Sequence, residues 1–342
     1  SRDEYSGTKN LSESFLYDGL NRLTSQSVVG QTPVTVEYFL NGNIKKKSDV
    51  SASDYRYGAQ ESGCSVDPGP HAVTMAAGDL YCYDANGNNI SGGGRTLYYT
   101  TFDKPYKIVK SGHTTEFAYG PDRSRYRRVD TGGGVRTTRY IGNVEIIFLP
   151  NGDQDRKRYI AGIAIETLHF GTDTTLDSKE TQYLHYDHLG SVDVITDSAG
   201  GIFQEQSFDA WGQRRDASDW SSLTSTEQVN FDYSMTTKGF TSHEMLDEVG
   251  IVHIYGRIYD HELGRFLQAD PFVQDPLNSQ SLNRYTYVWN NPLNASDPSG
   301  YFVFSLVAAV ALKGAELTFT ELFITFAFTG FADAKASGAS FH

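Results

Sequence analysis

Cysteine is nearly absent: 342 residues hold only Cys64 and Cys82. That excludes a disulfide-built scaffold and any four-cysteine zinc site. Proline is scarce too, 10 against 33 glycines, and charged residues make up 21%. A disordered chain would also be poor in aromatics, but 22 Tyr and 20 Phe are present, so disorder is excluded. Basic charge is in deficit, 29 Lys and Arg against 42 Asp and Glu, for a net −13. Non-specific nucleic-acid binding needs basic patches against phosphates, so none is expected of this chain. Long uncharged runs are lacking as well. Residues 301–331 are mostly apolar, but Lys313, Glu316 and Glu321 interrupt them. The runs left, 302–312 and 322–332, fall short of the roughly 20 residues a spanning helix wants. One or two buried helices are expected there, with a segment bound for a membrane after release as the alternative. No start Met or signal peptide opens the chain, and the polar SRDEYSGTKN reads as the edge of a cut-out piece.

What is present is a repeat. Length allows roughly two domains or one large β domain, enough to bury a core or line a cavity. Phe15-Leu16-Tyr17-Asp18-Gly19-Leu20-Asn21-Arg22-Leu23 is an aromatic strand, a turn and a strand. Leu80-Tyr81-Cys82-Tyr83-Asp84-Ala85-Asn86-Gly87-Asn88, Tyr38-Phe39-Leu40-Asn41-Gly42-Asn43 and Phe117-Ala118-Tyr119-Gly120-Pro121-Asp122 have the same shape. Tyr17 to Tyr38, Tyr99 to Tyr119 and Tyr119 to Tyr140 recur at about 20 residues, the mark of a repeat array. Asn-Gly and Asp-Gly pairs suit tight hairpin turns. Gly92-Gly93-Gly94 and Gly132-Gly133-Gly134 read as hairpin turns. Arg139–Phe148 and Gln182–Tyr186 alternate apolar and polar residues as strands do, and Val192–Thr196 runs as a strand into a turn. Residues 59–77, rich in Gly, Pro and Ala, read as a long loop. Convincing helical periodicity appears only in the apolar tail.

The second half carries a denser set of motifs. Tyr186-Asp187-His188-Leu189-Gly190-Ser191-Val192 is followed by Phe208-Asp209-Ala210-Trp211-Gly212 and Gly239-Phe240-Thr241. Then come Tyr255-Gly256-Arg257-Ile258-Tyr259-Asp260-His261-Glu262-Leu263-Gly264-Arg265-Phe266 and Ala269-Asp270-Pro271. Asn283-Arg284-Tyr285-Thr286-Tyr287, Asn290-Asn291-Pro292 and Asp297-Pro298-Ser299-Gly300-Tyr301 complete the order. Over residues 15–301 this resembles the YD repeats and RHS repeat-associated core domain of Rhs polymorphic toxins. It is similar also to the C components of insecticidal Tc toxin complexes and, more distantly, to teneurins. The resemblance implies an all-β fold in which YD-repeat hairpins spiral into a hollow shell, a cocoon closed by a core-domain plug. It divides the chain into repeats (1–180), core domain (181–301) and an apolar post-cleavage segment (302–342).

The resemblance also implies a reaction. In cleaving members, an Arg and two Asp residues are needed for self-cleavage just after an Asp-Pro-x-Gly-Leu motif. These match Arg257, Asp270 and Asp297, with the cut between Tyr301 and Phe302. Tyr301 stands where the family has Leu, keeping an apolar side chain for a hydrophobic subsite. The chemistry is coherent on its own terms. One ionised Asp acts as general base on water, one protonated Asp as general acid, and proximity splits their pKa values. A nearby Arg fixes carboxylate geometry or stabilises an oxyanion. The competing reading has Asp270 and Asp297 capping turns before Pro271 and Pro298. Phe302 has no nucleophile, which eliminates acyl-shift processing.

His185, Asp187 and His188, with His169 farther off, lack the spacing of a helical zinc site and read as a structural turn. No cofactor is expected. Cys64 and Cys82 either pair in an exported protein or stay as buried thiols. The implied partners are the chain's own C-terminal effector, a type VI or Tc-like delivery machine and an immunity protein, with bacterial origin and secretion. The tail lacks a catalytic pattern, so either the toxin domain has been cut away or the tail is a translocation segment. A non-catalytic adhesion or scaffold shell is the alternative from another class. A membrane-active tail is the third.

Overall fold

The computed structural model describes residues 1–6 and 9–305. The segment expected to be helical, from residue 306 on, lies outside them. Within them the fold is all-β. Five strands, Arg2–Ser6, Lys9–Tyr17, Leu23–Val28, Val34–Tyr38 and Ile44–Lys47, pair antiparallel in sequence order. A 13-stranded sheet runs from Cys82–Tyr83 to Ile202–Glu205, each strand bonded to its sequence neighbours. This is an open meander of hairpins, with no closure into a barrel.

The two letters of the repeat have separate tasks. At the end of Lys9–Tyr17, Asp18 Oδ1 accepts the N–H of Leu20 at 2.9 Å and of Arg22 at 3.0 Å. Asp84 does the same with Asn86 and Asn88, both at 2.9 Å. Asp187 takes Leu189 and Ser191, at 2.9 and 2.8 Å, and Asp209 takes Trp211 and Gln213, both at 2.8 Å. A carboxylate thus satisfies the amides that a tight turn leaves without partners. Tyrosines reach back to the preceding strand. The hydroxyls of Tyr38, Tyr57 and Tyr119 donate to the carbonyls of Leu23, Ile44 and Pro105, each at 2.6 Å. The ring stays in the sheet while its polar end is satisfied.

Three local expectations change. Residues 59–77 are not one loop: Gly69–Ala76 is a strand paired with Arg56–Gly58 and Asp79–Leu80. Ala72, Val73 and Ala76 bury into the main core, and that burial outweighs the Gly and Pro that precede it. Arg139–Phe148 is a hairpin, Arg136–Ile141 and Val144–Phe148, turning at Gly142 and Asn143. A short helix, Ser225–Val229, forms outside the tail, with a capping box between Thr224 and Glu227. The cysteines pair: Cys64 and Cys82 form a disulfide with Cα atoms 5.3 Å apart. It pins the remaining loop to the first strand of the large sheet.

One core joins the two halves. Leu23, Ile44, Leu97 and Ile108 from the hairpins share a buried cluster with Trp211, Phe240, Ile258 and Tyr259. Charges cross the same boundary. Glu13 takes Arg215 through two bonds of 3.0 Å, and Arg95 pairs with Asp260. Glu244 receives Arg125, Arg128 and the Tyr140 hydroxyl.

Candidate active site

The site lies where a four-stranded antiparallel sheet meets the last described hairpin. The sheet is Glu244–Leu246, Ile251–Ile254, Arg257–Asp260 and Arg265–Phe266. Arg257 opens its third strand, straight after the turn at Tyr255 and Gly256. Asp270 follows the sheet's final strand. Asp297 follows Ala295–Ser296, which pairs with Phe304–Ser305, so residues 297–303 form the connecting loop of a small hairpin.

Two glycines let that loop press against the turn before Arg257. Gly300 sits at φ +78°, and a Cβ there would stand 2.2 Å from the Ile254 carbonyl oxygen. A Cβ on Gly256 would lie 2.3 Å from the Tyr301 ring. Only glycine fits at both places. The Gly256 N–H donates to the Ser299 carbonyl at 3.0 Å, and the Tyr301 hydroxyl donates to the Gly256 carbonyl at 3.2 Å.

The fold brings Arg257, Asp270 and Asp297 together although they are far apart in sequence. Arg257 Nη2 lies 2.9 Å from Asp270 Oδ2 and 3.5 Å from Asp297 Oδ2. Its Nη1 donates to the Arg284 carbonyl at 3.1 Å, and its Nε to the Gly300 carbonyl. Its guanidinium lies over the Phe266 ring, 3.6 Å from the centroid. The other oxygen of each carboxyl builds a turn. Asp270 Oδ1 accepts the Phe272 N–H at 2.9 Å. Asp297 Oδ1 accepts the N–H groups of Gly300, Tyr301 and Phe302 at 2.8, 3.0 and 3.0 Å. So the turn-capping geometry is present in both aspartates, beside a shared arginine.

Burial pushes Asp270 up to about 6; Arg257 opposes the rise and Asp297 adds to it. Burial also raises Asp297, against Arg257 and the backbone donors. Arg257 itself is lowered by burial, which the two carboxylates oppose. A cavity of about 20 Å³ is lined by Arg257, Asp270, Asp297, Gln274 and Tyr301 among others. That is room for a single water beside polar partners.

Two residues that no motif singled out hold the Tyr301–Phe302 bond. Phe272 meets Tyr301 edge-on at 6.1 Å between ring centroids and stacks on Phe302 at 5.6 Å. Gln274 Nε2 donates to the Tyr301 carbonyl oxygen at 2.5 Å, and its Oε1 accepts the Val303 N–H at 3.1 Å. Spacing could not reveal them, since both follow Pro271 in a stretch without periodicity.

The histidine group forms a turn. Asp187 caps it, His185 bonds the Thr196 hydroxyl at 3.0 Å and His188 the Leu293 carbonyl at 3.3 Å. His169 pairs instead with Asp155 at 2.7 Å.

Known proteins resemble this chain over most of its described length. The tRNA nuclease WapA of Bacillus subtilis (strain 168) is 25% identical over 299 residues, 86% of this chain and 12% of the relative. The tRNA(Glu)-specific nuclease WapA of Bacillus subtilis subsp. natto is 27% identical over 243 residues, 69% of this chain and 10% of the relative. The chain therefore spans only about a tenth of the length of these curated relatives. Among solved structures, a crystal structure of TcdB2-TccC3-Cdc42 superposes with TM-score 0.62 at 18% identity, covering 84% of this chain and 15% of the other. The Photorhabdus luminescens Tc holotoxin pore matches with TM-score 0.57 at 18% identity, over 86% and 13%. These show a common fold. The profile described as Teneurin YD-shell matches residues 3–293, and the chain belongs to that family.

Proposed function

We propose that this chain is the shell and core region of an Rhs-type toxin that cuts its own backbone between Tyr301 and Phe302. In this reading residues 1–180 are the shell, 181–301 the core domain and 302–342 the start of the released part. The observation that carries it is Arg257 held between Asp270 and Asp297, with Asp297 Oδ1 3.0 Å from the Phe302 nitrogen.

The step is a hydrolysis. A water in the small cavity attacks the Tyr301 carbonyl carbon, and the ionised member of the aspartate pair takes its proton. The protonated member of the pair supplies the proton that lets the C–N bond break. The products are a carboxyl group on Tyr301 and a free amine on Phe302. Arg257 fixes both carboxyls and, through the Gly300 carbonyl, the loop that presents the bond. The effector stays enclosed by the shell until a secretion or Tc-like machine delivers it, and an immunity protein protects the producing cell.

The family match also suits a scaffold shell that cuts nothing, since Oδ1 of each aspartate has a structural task. Intact mass separates the two. Wild type is expected as two fragments divided after Tyr301. Asp270→Asn and Asp297→Asn keep the turns and stay whole. A wild-type chain left at full length for days at neutral and mildly acid pH overturns the cleaving reading.

A further inference from the structure

We infer that Gln274 is a catalytic residue of this site, the hydrogen-bond donor that stabilises the oxyanion formed on Tyr301. The inference rests on the self-cleavage reading above and adds a role that neither Arg257 nor the aspartates fill. Attack by water turns the Tyr301 carbonyl oxygen into an alkoxide, and that charge needs a fixed donor. Gln274 Nε2 already donates to this oxygen at 2.5 Å. Arg257 is committed elsewhere: its Nε to the Gly300 carbonyl, Nη1 to the Arg284 carbonyl, Nη2 to the two carboxyls.

The carboxamide cannot turn over without loss. Its Oε1 accepts the Val303 N–H at 3.1 Å, so a flip would set oxygen against oxygen and N–H against N–H. One side chain therefore clamps the backbone on both sides of the bond, donating before it and accepting after it. A turn just beyond holds the clamp in place. The Asp275 N–H donates to Ser281 Oγ at 3.1 Å, and the Asn278 N–H to the Asp275 carbonyl at 3.0 Å. Gln274 lines the same cavity as both aspartates and Tyr301, so the donor borders the water site and the proton carriers. When the intermediate collapses, the oxyanion electrons reform the C=O bond, the C–N bond breaks and Phe302 leaves as an amine. Gln274 exchanges no proton in any step.

Two variants of the full chain test this. Gln274→Met keeps length and loses both contacts. Gln274→Glu keeps the acceptor for Val303 and loses the donor. Both are expected to cleave about 100-fold slower than wild type, the usual loss when one oxyanion donor is removed. Rates are taken at each variant's own pH optimum, so that a shift in the aspartate pKa values is not read as a lost donor. Thermal melting of the uncut Asp297→Asn background, with and without each change, shows whether the fold survives. Wild-type rates in Gln274→Met, or in a folded Gln274→Glu, overturn the role of Gln274 while leaving self-cleavage standing. A wild type that never cuts overturns both.

Discussion

At the scale of single residues, the site divides labour between the two oxygens of each aspartate. Oδ1 builds backbone turns and Oδ2 faces Arg257, so an Asn substitution preserves the first task and loses the charge needed for the second. Two predictions follow from the residues around them. Asp270 is pushed up to about 6, and below that pH it holds a proton and cannot take one from water. Cleavage needs one carboxyl ionised and the other protonated, so the rate should peak where the pair shares a single proton, fall on both sides, and change steeply near pH 6 as Asp270 titrates. Single-turnover rates between pH 4 and 9 check this, and a flat profile counts against the pair. Gly300→Ala puts a Cβ 2.2 Å from the Ile254 oxygen at φ +78°. The loop must shift, and a shift near 1 Å is worth about 100-fold in rate. Intact-mass time courses should record that loss without loss of the folded circular-dichroism spectrum. Arg257, Asp270 and Asp297 were singled out through the family resemblance their motifs carry, not by spacing, since the two aspartates lie 27 residues apart. Gln274 and Phe272 were not, because their roles come from how a loop folds across residues 301–303, which no periodicity encodes.

At the scale of elements, the hairpins were legible for a chemical reason. Tyr17-Asp18 and Tyr83-Asp84 announce their turns because the Asp closes them, and tyrosines such as Tyr38, Tyr57 and Tyr119 span to the preceding strand. The strand Gly69–Ala76 was hidden because its identity comes from burial against distant residues, not from its own pattern. The joints between elements are equally non-local. Glu244, on the first strand of the four-stranded sheet, accepts from Arg128 at 3.1 Å and from the Tyr140 hydroxyl at 2.6 Å, and pairs with Arg125. Burial alone would raise its pKa, but the two guanidiniums outweigh that and hold it well below the carboxylate range. Glu244→Gln removes the charge and strands Arg125 in particular, because Arg128 keeps Asp130 at 2.8 Å. Removing one partner of a buried pair costs about 3–5 kcal/mol, and the surviving Asp130 contact favours the lower end. Urea unfolding at neutral pH should show a midpoint shift of that size. A shift under about 1 kcal/mol would mean that solvent reaches the pair.

At the scale of the whole molecule, the N-terminal hairpins and the second half of the chain are each other's interior. The N-terminal hairpins contribute Leu23, Ile44 and Tyr55 to a cluster whose other side is Trp211, Tyr259 and Leu263. Polar contacts cross as well: Asn283 Nδ2 donates to Asn43 Oδ1 at 2.8 Å, Asn290 Nδ2 to the Gly42 carbonyl at 3.1 Å, and the Tyr285 hydroxyl to the Gly87 carbonyl at 2.8 Å. Deleting residues 1–110 removes Glu13 from Arg215 and Arg95 from Asp260. It leaves both members buried without a counter-charge and uncovers the aromatic floor formed by Phe240, Tyr259 and Tyr287. Each large apolar side chain returned to water costs roughly 1.5–3 kcal/mol, and the new sheet edge offers unpaired backbone to other copies. The truncated chain is therefore expected to aggregate, with light scattering rising at concentrations where the full chain is monodisperse. The fragment 181–301 should behave likewise, since Arg215, Glu244 and Asp260 take their charge partners from the hairpins. A soluble, cooperatively melting 181–301 in size-exclusion and calorimetric runs would establish that the core region folds by itself. It would make the hairpins a cover laid over it rather than half of its core.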